Sequence, residues 1–207
     1  MPIETEVNIP LPSQLVKERL SRDTAVVSSQ MGDYTRLDMV AQYYDSPAHE
    51  LMELKSTLRR RVENGVPYVT FKQAAESAGR LLTRMTWECA EDDVSAAIGT
   101  LTDMGAPREL LEIAERAGFL PRGVFEYTRQ SVPLMLADGT SVEMNFDEGV
   151  IRAAEKQSDF MDVSFKLLFG RPSGLESFVL ILEEKYGLVR GMSGKYERAL
   201  RLIRSRS

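Results

Sequence analysis

From Ile3 to Ile9 the chain alternates residue by residue. Ile3, Thr5, Val7 and Ile9 are interleaved with Glu4, Glu6 and Asn8. A strand points successive side chains to opposite faces, so this segment reads as a strand with one mainly apolar face and one anionic face. The same period returns along the sequence. Val69 and Phe71 oppose Tyr68, Thr70 and Lys72, and Met85, Trp87 and Cys89 oppose Arg84, Thr86 and Glu88. Val142, Met144 and Phe146 oppose Glu143, Asn145 and Asp147. Met161, Val163, Phe165 and Leu167 oppose Asp162, Ser164 and Lys166. In Leu58-Arg59-Arg60-Arg61-Val62 the alternation is imperfect, because Arg60 shares the face of Leu58 and Val62.

Two structures satisfy such a pattern. One is a half-buried antiparallel sheet whose polar face meets water. The other is suggested by how the charges are distributed. Carboxylates gather on some strands (Glu4, Glu6, Glu143, Asp147, Asp162), while cations gather on others (Arg59, Arg61, Lys72, Arg84). A sheet curled with these faces inward would enclose a charged tunnel. Carboxylates on one wall would suit Mg²⁺ or Mn²⁺, hard cations that take oxygen ligands. Guanidinium and ammonium groups on the other walls would suit phosphates, arginine through bidentate contacts.

Helical periodicity is confined to 12–22, 47–55, two stretches within 91–117 broken near Gly105-Ala106-Pro107, 173–187 and 194–206. Ser13 and Ser173 are expected as N-caps and Gly187 as a helix stop. Thr57–Glu63 and Val66–Lys72 flank Asn64-Gly65, a pair that readily takes the positive φ angles of a type I′ hairpin turn. Asp138-Gly139 predicts a second hairpin joining about 124–136 to 140–147. Strands dominate and long crossovers are scarce, so the expected class is a mainly antiparallel α+β fold. The 207 residues, 43% of them hydrophobic, suffice for one domain over 1–207.

A net charge of −5 is too mild to indicate a nucleic-acid partner. The one cysteine, Cys89, excludes a disulfide framework and a two-cysteine metal clip. No stretch approaches the roughly eighteen apolar residues of a membrane span, and no leader is evident, so a soluble, cytoplasmic protein without a membrane partner is expected. His49 is expected at the surface, Trp87 in wall packing beneath a helix, and the ten methionines in packing. Arg198, Arg201, Arg204 and Arg206 read as a solvated helix end complementing its dipole.

The polar-face residues also carry a resemblance. Glu4-Thr-Glu6-Val-Asn8 resembles the opening Glu-x-Glu-x-Lys of the CYTH family, also called triphosphate tunnel metalloenzymes. Tyr44-Asp45-Ser46-Pro47 followed by Leu58-Arg59-Arg60-Arg61 is similar to the family's aromatic-Asp-small-Pro and Leu-Arg-x-Arg. Thr70-Phe71-Lys72 matches its Thr-x-Lys, and Arg84 with Glu88 resembles its Arg-x-Glu-x-Glu. Arg129 stands where a basic residue is usual, Glu143–Gly149 resembles a strand ending in Asp-x-Gly, and Ser193-Gly194-Lys195-Tyr196 resembles a late Ser-Lys-Tyr.

The resemblance implies an eight-stranded antiparallel β-tunnel flanked by helices. It implies metal-dependent hydrolysis of a small triphosphate, nucleoside triphosphate or polyphosphate, with Mg²⁺ or Mn²⁺ as cofactor. Glu4, Glu6, Asp147 and Asp162 would be metal ligands. Arg59, Arg61, Lys72, Arg84, Arg129 and Lys195 would bind phosphate, and Glu4, Glu6, Lys72 and Arg129 would form the catalytic set. Non-catalytic anion binding and class IV-type adenylate cyclase activity are the alternatives. Three departures distinguish this chain. Asn8 replaces a lysine, Thr86 replaces a glutamate, and the late Glu-x-Glu aligns with Asp162-Val-Ser164-Phe-Lys166. Arg129 poses a parity problem: a two-residue Asp138-Gly139 turn would set it opposite Glu143's face, whereas a bulge or a three-residue loop would restore it.

Overall fold

The computed structural model describes residues 3–75, 81–191 and 194–205. Ser193 and Arg206 lie outside the described residues. Eight antiparallel strands close into a barrel in the order β1-β5-β4-β3-β2-β6-β7-β8, with β8 pairing back onto β1. They are β1 (Ile3–Pro10), β2 (Thr35–Asp45), β3 (Ser56–Glu63), β4 (Val66–Ala74), β5 (Leu82–Cys89), β6 (Leu120–Met135), β7 (Ser141–Ala153) and β8 (Lys156–Phe169). The helices are α1 (Gln14–Ser21), α2 (Thr24–Ser29), α3 (Glu50–Glu53), α4 (Val94–Asp103), α5 (Arg108–Ala117), α6 (Pro172–Tyr186) and α7 (Lys195–Arg204). Among the described residues, closure leaves no open sheet edge to pair with another chain.

The apolar strand faces point outward and are covered by helices. Val7, Ile9, Val142, Met144, Phe146, Val163 and Phe165 pack under Leu20 of α1, Val26 of α2 and Leu175, Val179 and Leu182 of α6. On the opposite wall Leu58, Val69, Phe71 and Trp87 pack under Ala97, Ile98 and Leu101 of α4 and Leu110 and Ile113 of α5. Trp87 is thus wall packing, its ring 5.7 Å from that of Phe71. The third apolar cluster is internal. Tyr43, Phe125, Tyr127, Ile151 and Phe160 share strand parity with the charged residues, and they receive Tyr196, Ala199 and Leu200 of α7. The C-terminal helix therefore fills one end of the barrel. Gly123 permits this approach, since a Cβ there would lie 2.7 Å from that of Ala199.

The turns set the register. Asn64 and Gly65 take φ of 48° and 87°, and Glu63 pairs with Val66 as a two-residue hairpin requires. The β6–β7 hairpin closes with three residues. The Leu136 N–H donates to the Thr140 carbonyl at 2.9 Å, the Gly139 N–H donates to the Leu136 carbonyl at 2.9 Å, and Gly139 has φ of 82°. Met135 then pairs with Ser141 and Arg129 with Asp147, which places Arg129 on the inner face. The β7–β8 turn at Ala154-Glu155 contains no glycine, although Ala154 takes φ of 51°, so it carried no signal in the sequence.

Ser13 caps α1 through Val16, Gly187 ends α6 with φ of 63°, and a break separates α4 from α5. Ser173 is not an N-cap. Arg171 occupies that position and Pro172 opens α6, where a missing N–H and a preset φ are harmless. The helix expected over 47–55 shrinks to α3, one turn long. The buried carboxylate of Asp45 organises this turn, accepting the N–H groups of Ser46 (2.8 Å), Leu51 (2.9 Å) and Met52 (3.2 Å) and the Tyr196 hydroxyl (2.7 Å). His49 is half-buried, not a free surface side chain, and its Nδ1 lies 3.4 Å from the Tyr196 hydroxyl. Among the described residues no helix is long and apolar enough to cross a membrane.

Candidate functional site

The polar strand faces meet inside the barrel. Two adjoining cavities, of about 340 Å³ and about 300 Å³, share Glu6, Arg59, Lys72, Arg129 and Ser164 as lining. The first also reaches Arg84, Lys195 and Tyr196 beside α7. The second extends to Glu4, Arg61, Glu88, Glu143 and Lys166. All six cations expected to bind phosphate, Arg59, Arg61, Lys72, Arg84, Arg129 and Lys195, line one cavity or both.

The carboxylates fall into two groups. Toward α7, Asp147 and Asp162 face each other across the β7–β8 ladder, each with a side chain 1% exposed. Asp147 accepts two hydrogen bonds from Arg129, at 2.7 and 2.8 Å, and one from Lys195 at 2.9 Å. Burial pushes its pKa up, but Lys195 and Arg129 more than reverse this and hold it well below the usual carboxylate range. The same pairing raises Arg129 and Lys195 against the opposing effect of burial. Asp162 is gripped by both terminal nitrogens of Arg198, one at 2.8 Å, and lies 3.5 Å from Lys195.

Toward the other end, Glu4 accepts hydrogen bonds from Lys72 at 2.6 Å and Thr86 at 3.1 Å, with Lys166 at 3.3 Å. Burial opposes its ionisation, but Lys72 and Lys166 hold it below its ordinary value. Glu6 has a looser partner, Arg84 at 3.5 Å. Lys72 sits below its ordinary value because burial, with Arg59 nearby, outweighs Glu6 and Glu4. Glu88 accepts the Thr70 hydroxyl at 2.6 Å and pairs with Arg61 at 3.4 Å.

Between these groups runs an uncharged row. Asn8 pairs with Ser164 across β1–β8, and Ser164 with Asn145 across β7–β8. Asn145 is oriented by donating to Glu143 at 3.1 Å, and the Oδ1 atoms of both Asn8 and Asn145 are buried without a hydrogen-bond partner.

The four carboxylates expected to bind metal do not converge. On the β1–β8 ladder Glu6 faces Lys166 while Asp162 faces Pro10, four residues further along, or roughly 13 Å at about 3.3 Å per residue. Asp147 and Asp162 line neither cavity. Among the described residues, no group of three or more His, Cys, Asp or Glu side chains is arranged to hold a metal ion.

Arg59 differs from its neighbours. It lines both cavities, has no carboxylate within salt-bridge distance among the described residues, and its buried Nε has no partner. On the β2–β3 ladder it stands opposite Tyr43, whose pKa burial would raise but which Arg59 and Lys195 bring below its ordinary value.

Two interior residues escaped the sequence reading. Arg198 points into the barrel toward Asp162, not out with the solvated arginine run, because α7 enters the barrel end. Tyr43 could have been found by extending the period-two reading to Met39, Ala41 and Tyr43 of β2, all buried. Arg60, by contrast, points outward to Asp92 at 2.8 Å, as its parity predicts.

The sequence pattern of the CYTH domain matches residues 3–167. HpAC1 from Hippeastrum, described as an adenylyl cyclase candidate with a dominant triphosphatase activity, shares 15% identity and a TM-score of 0.60. That alignment covers 96% of this chain and 95% of its own. A Pyrococcus horikoshii OT3 protein shares 17% identity and a TM-score of 0.59, with 98% and 99% covered. A Bacillus halodurans protein described as an adenylate cyclase candidate shares 12% identity and a TM-score of 0.59, with 96% and 98% covered. At such identities the likeness is one of fold. No curated protein matches the chain.

Proposed function

The chain belongs to the CYTH domain family, and on that premise we propose that its barrel binds the phosphate chain of a small triphosphate or polyphosphate and hydrolyses a phosphoanhydride bond. The observation that carries this reading is Arg59, a guanidinium at the junction of both cavities with no carboxylate partner and a buried, unpartnered Nε. A buried donor left unpaired is costly, and a phosphate oxygen supplies the missing acceptor with matching charge.

Phosphoryl transfer depends on positioning and charge neutralisation more than on covalent chemistry. In this reading Arg59 and Arg129 grip the chain from β3 and β6. Lys72, already displaced downward in pKa, exchanges Glu4 for a phosphate oxygen. Arg61, Arg84 and Lys195 complete a fixed positive lining that meets charge developing on the leaving phosphate without reorganising.

Mg²⁺ or Mn²⁺, which the family resemblance implies, would supply charge neutralisation between phosphate oxygens when bound. An ion held by Glu4, Glu6, Asp147 and Asp162 together does not fit this geometry, because the two pairs lie apart and Asp147 and Asp162 are closed by cations. Of these four, Glu4 and Glu6 line the cavities beside the phosphate-binding cations.

That same closure favours a second reading, in which the tunnel binds the anion without turning it over. Phosphate release from inorganic triphosphate and from ATP, each with Mg²⁺ and with Mn²⁺, separates the two. Release supports hydrolysis, and conversion of ATP to cyclic AMP would point to a cyclase instead. Calorimetric binding without release supports the second reading. Folded protein showing neither would sink both.

A further inference from the structure

The two cavities differ in charge. Among the described residues six cations line the first, Lys55, Arg59, Lys72, Arg84, Arg129 and Lys195, against two carboxylates, Glu6 and Glu197. The second has five of each sign: Arg59, Arg61, Lys72, Arg129 and Lys166 against Glu4, Glu6, Glu63, Glu88 and Glu143. Asp147, paired with Arg129 behind both, takes one positive charge from each and leaves the difference standing. The cations found only in the second cavity are also engaged. Arg61 lies 3.3 Å from Glu63 and 3.4 Å from Glu88, and Lys166 lies 3.3 Å from Glu4. A polyanion is drawn to the mouth with surplus positive charge, where low-dielectric walls focus the field. That mouth is framed by Met52 of α3, Ser56 at the start of β3, Ala74 at the end of β4 and Lys195 of α7.

Lys55 stands on the rim of this mouth, exposed, with no carboxylate within salt-bridge distance among the described residues. Exposed lysines are common, but the backbone under this one is fixed. Its N–H donates to the Met52 carbonyl at 3.0 Å, and its carbonyl accepts the Ala74 N–H at 3.1 Å. Its φ of 51° is left-handed, a region that suits glycine and that other residues occupy at a conformational cost. A lysine here sets a cation on a rigid rim where the turn alone would favour glycine. We propose that the phosphate chain enters and leaves through the α3/α7 mouth, and that Lys55 is a further phosphate-binding residue that meets its outermost phosphate there. The charge-balanced end at Glu63, Glu88 and Glu143 does not admit the chain. This rests on the reading of the tunnel as a phosphate-chain site.

Acetylation of the lysines of the full chain, read by mass spectrometry with and without inorganic triphosphate, locates the chain. Lys55 should be protected, while Lys166 reacts at its former rate. Calorimetry with inorganic triphosphate then tests the contact. Lys55→Gly should bind about tenfold more weakly, as expected when a hydrogen bond to a charged group is lost. It should nonetheless unfold at no lower urea concentration, because glycine takes a φ of 51° freely. Lys55→Arg should retain most of the affinity. Arg36→Glu, an exposed charge change next to Leu37 at the opposite end, should stay within about twofold of the wild type. Protection of Lys166 instead of Lys55, or a larger loss in Arg36→Glu than in Lys55→Gly, overturns entry through the α3/α7 mouth. A folded Lys55→Gly that binds triphosphate as the wild type does overturns the role given to Lys55. Failure of the folded wild type to bind triphosphate removes the phosphate-chain reading, and this inference with it.

Discussion

Arg129 and Asp147 stand directly opposite each other on the β6–β7 ladder, and the guanidinium closes on the carboxylate with two hydrogen bonds of 2.7 and 2.8 Å. Their meeting inside the barrel depends on a hairpin loop of three residues, Ala137 to Gly139. One residue fewer would turn Arg129 to the outer face, because side-chain direction has a period of two.

Loop length therefore has asymmetric consequences. Deleting Ala137 forces β6 to slip against β7 while it stays registered with β2 through Arg129 and Leu37. Urea unfolding should show a loss of more than about 3 kcal/mol, as expected when a buried pair is broken. Inserting one glycine after Gly139 only lengthens the loop, at a cost below about 1 kcal/mol. Equal effects of the two changes would contradict this register.

Asp147 links stability to acid. Its folded pKa lies below the ordinary 3.8, so its contribution is complete above that value and is lost as pH falls through the folded one. Asp147→Asn should cost about 3–5 kcal/mol at pH 7, because Arg129 and Lys195 lose their shared partner. It should also flatten the fall of stability below pH 3.8 by up to about 1.4 kcal/mol per pH unit. Chemical denaturation at pH 7, 5 and 3 measures both effects.

Arg59 should behave in the opposite way. It has no ion-pair partner among the described residues and Lys72 nearby, so Arg59→Ala should change stability by less than about 1 kcal/mol. Calorimetry should show triphosphate affinity reduced about 100-fold, in line with the roughly 1.5–3 kcal/mol of a hydrogen bond to a charged group. Arg59→Lys should recover only part of this, since an ammonium cannot make the bidentate contact.

Gly149 is required by space. A Cβ there would lie 2.0 Å from the Glu126 carbonyl oxygen and 2.6 Å from the Tyr127 Cα, both backbone atoms that cannot move aside cheaply. Gly149→Ala should lower stability by more than about 3 kcal/mol, among the larger single-residue effects. Gly32→Ala, where a Cβ meets nothing within 4 Å, is the control and should stay within about 0.5 kcal/mol in the same unfolding assay.

Much of the barrel wall was legible because strand parity is a local property. Glu4 and Glu6, Arg59 and Arg61, and Arg84 could each be assigned to a face from their immediate neighbours. The Asn64-Gly65 turn was legible for the same reason, since its positive φ angles belong to the two residues themselves. The Ala154-Glu155 turn was not, because the ladder around Ala153 and Lys156 imposes its geometry on residues with no turn preference of their own.

Strand parity alone set the acidic and basic residues on faces opposite the apolar ones, because alternation follows from covalent geometry. Which charges meet was decided only in three dimensions. Arg198 and Asp162 are 36 residues apart in the chain, and they pair because α7 enters the barrel end. Glu4 finds Lys72 and Lys166 only when β1 is seated near β4 and beside β8. Ion pairing depends on distance and burial across the closed barrel, quantities that the order of residues along a strand does not contain.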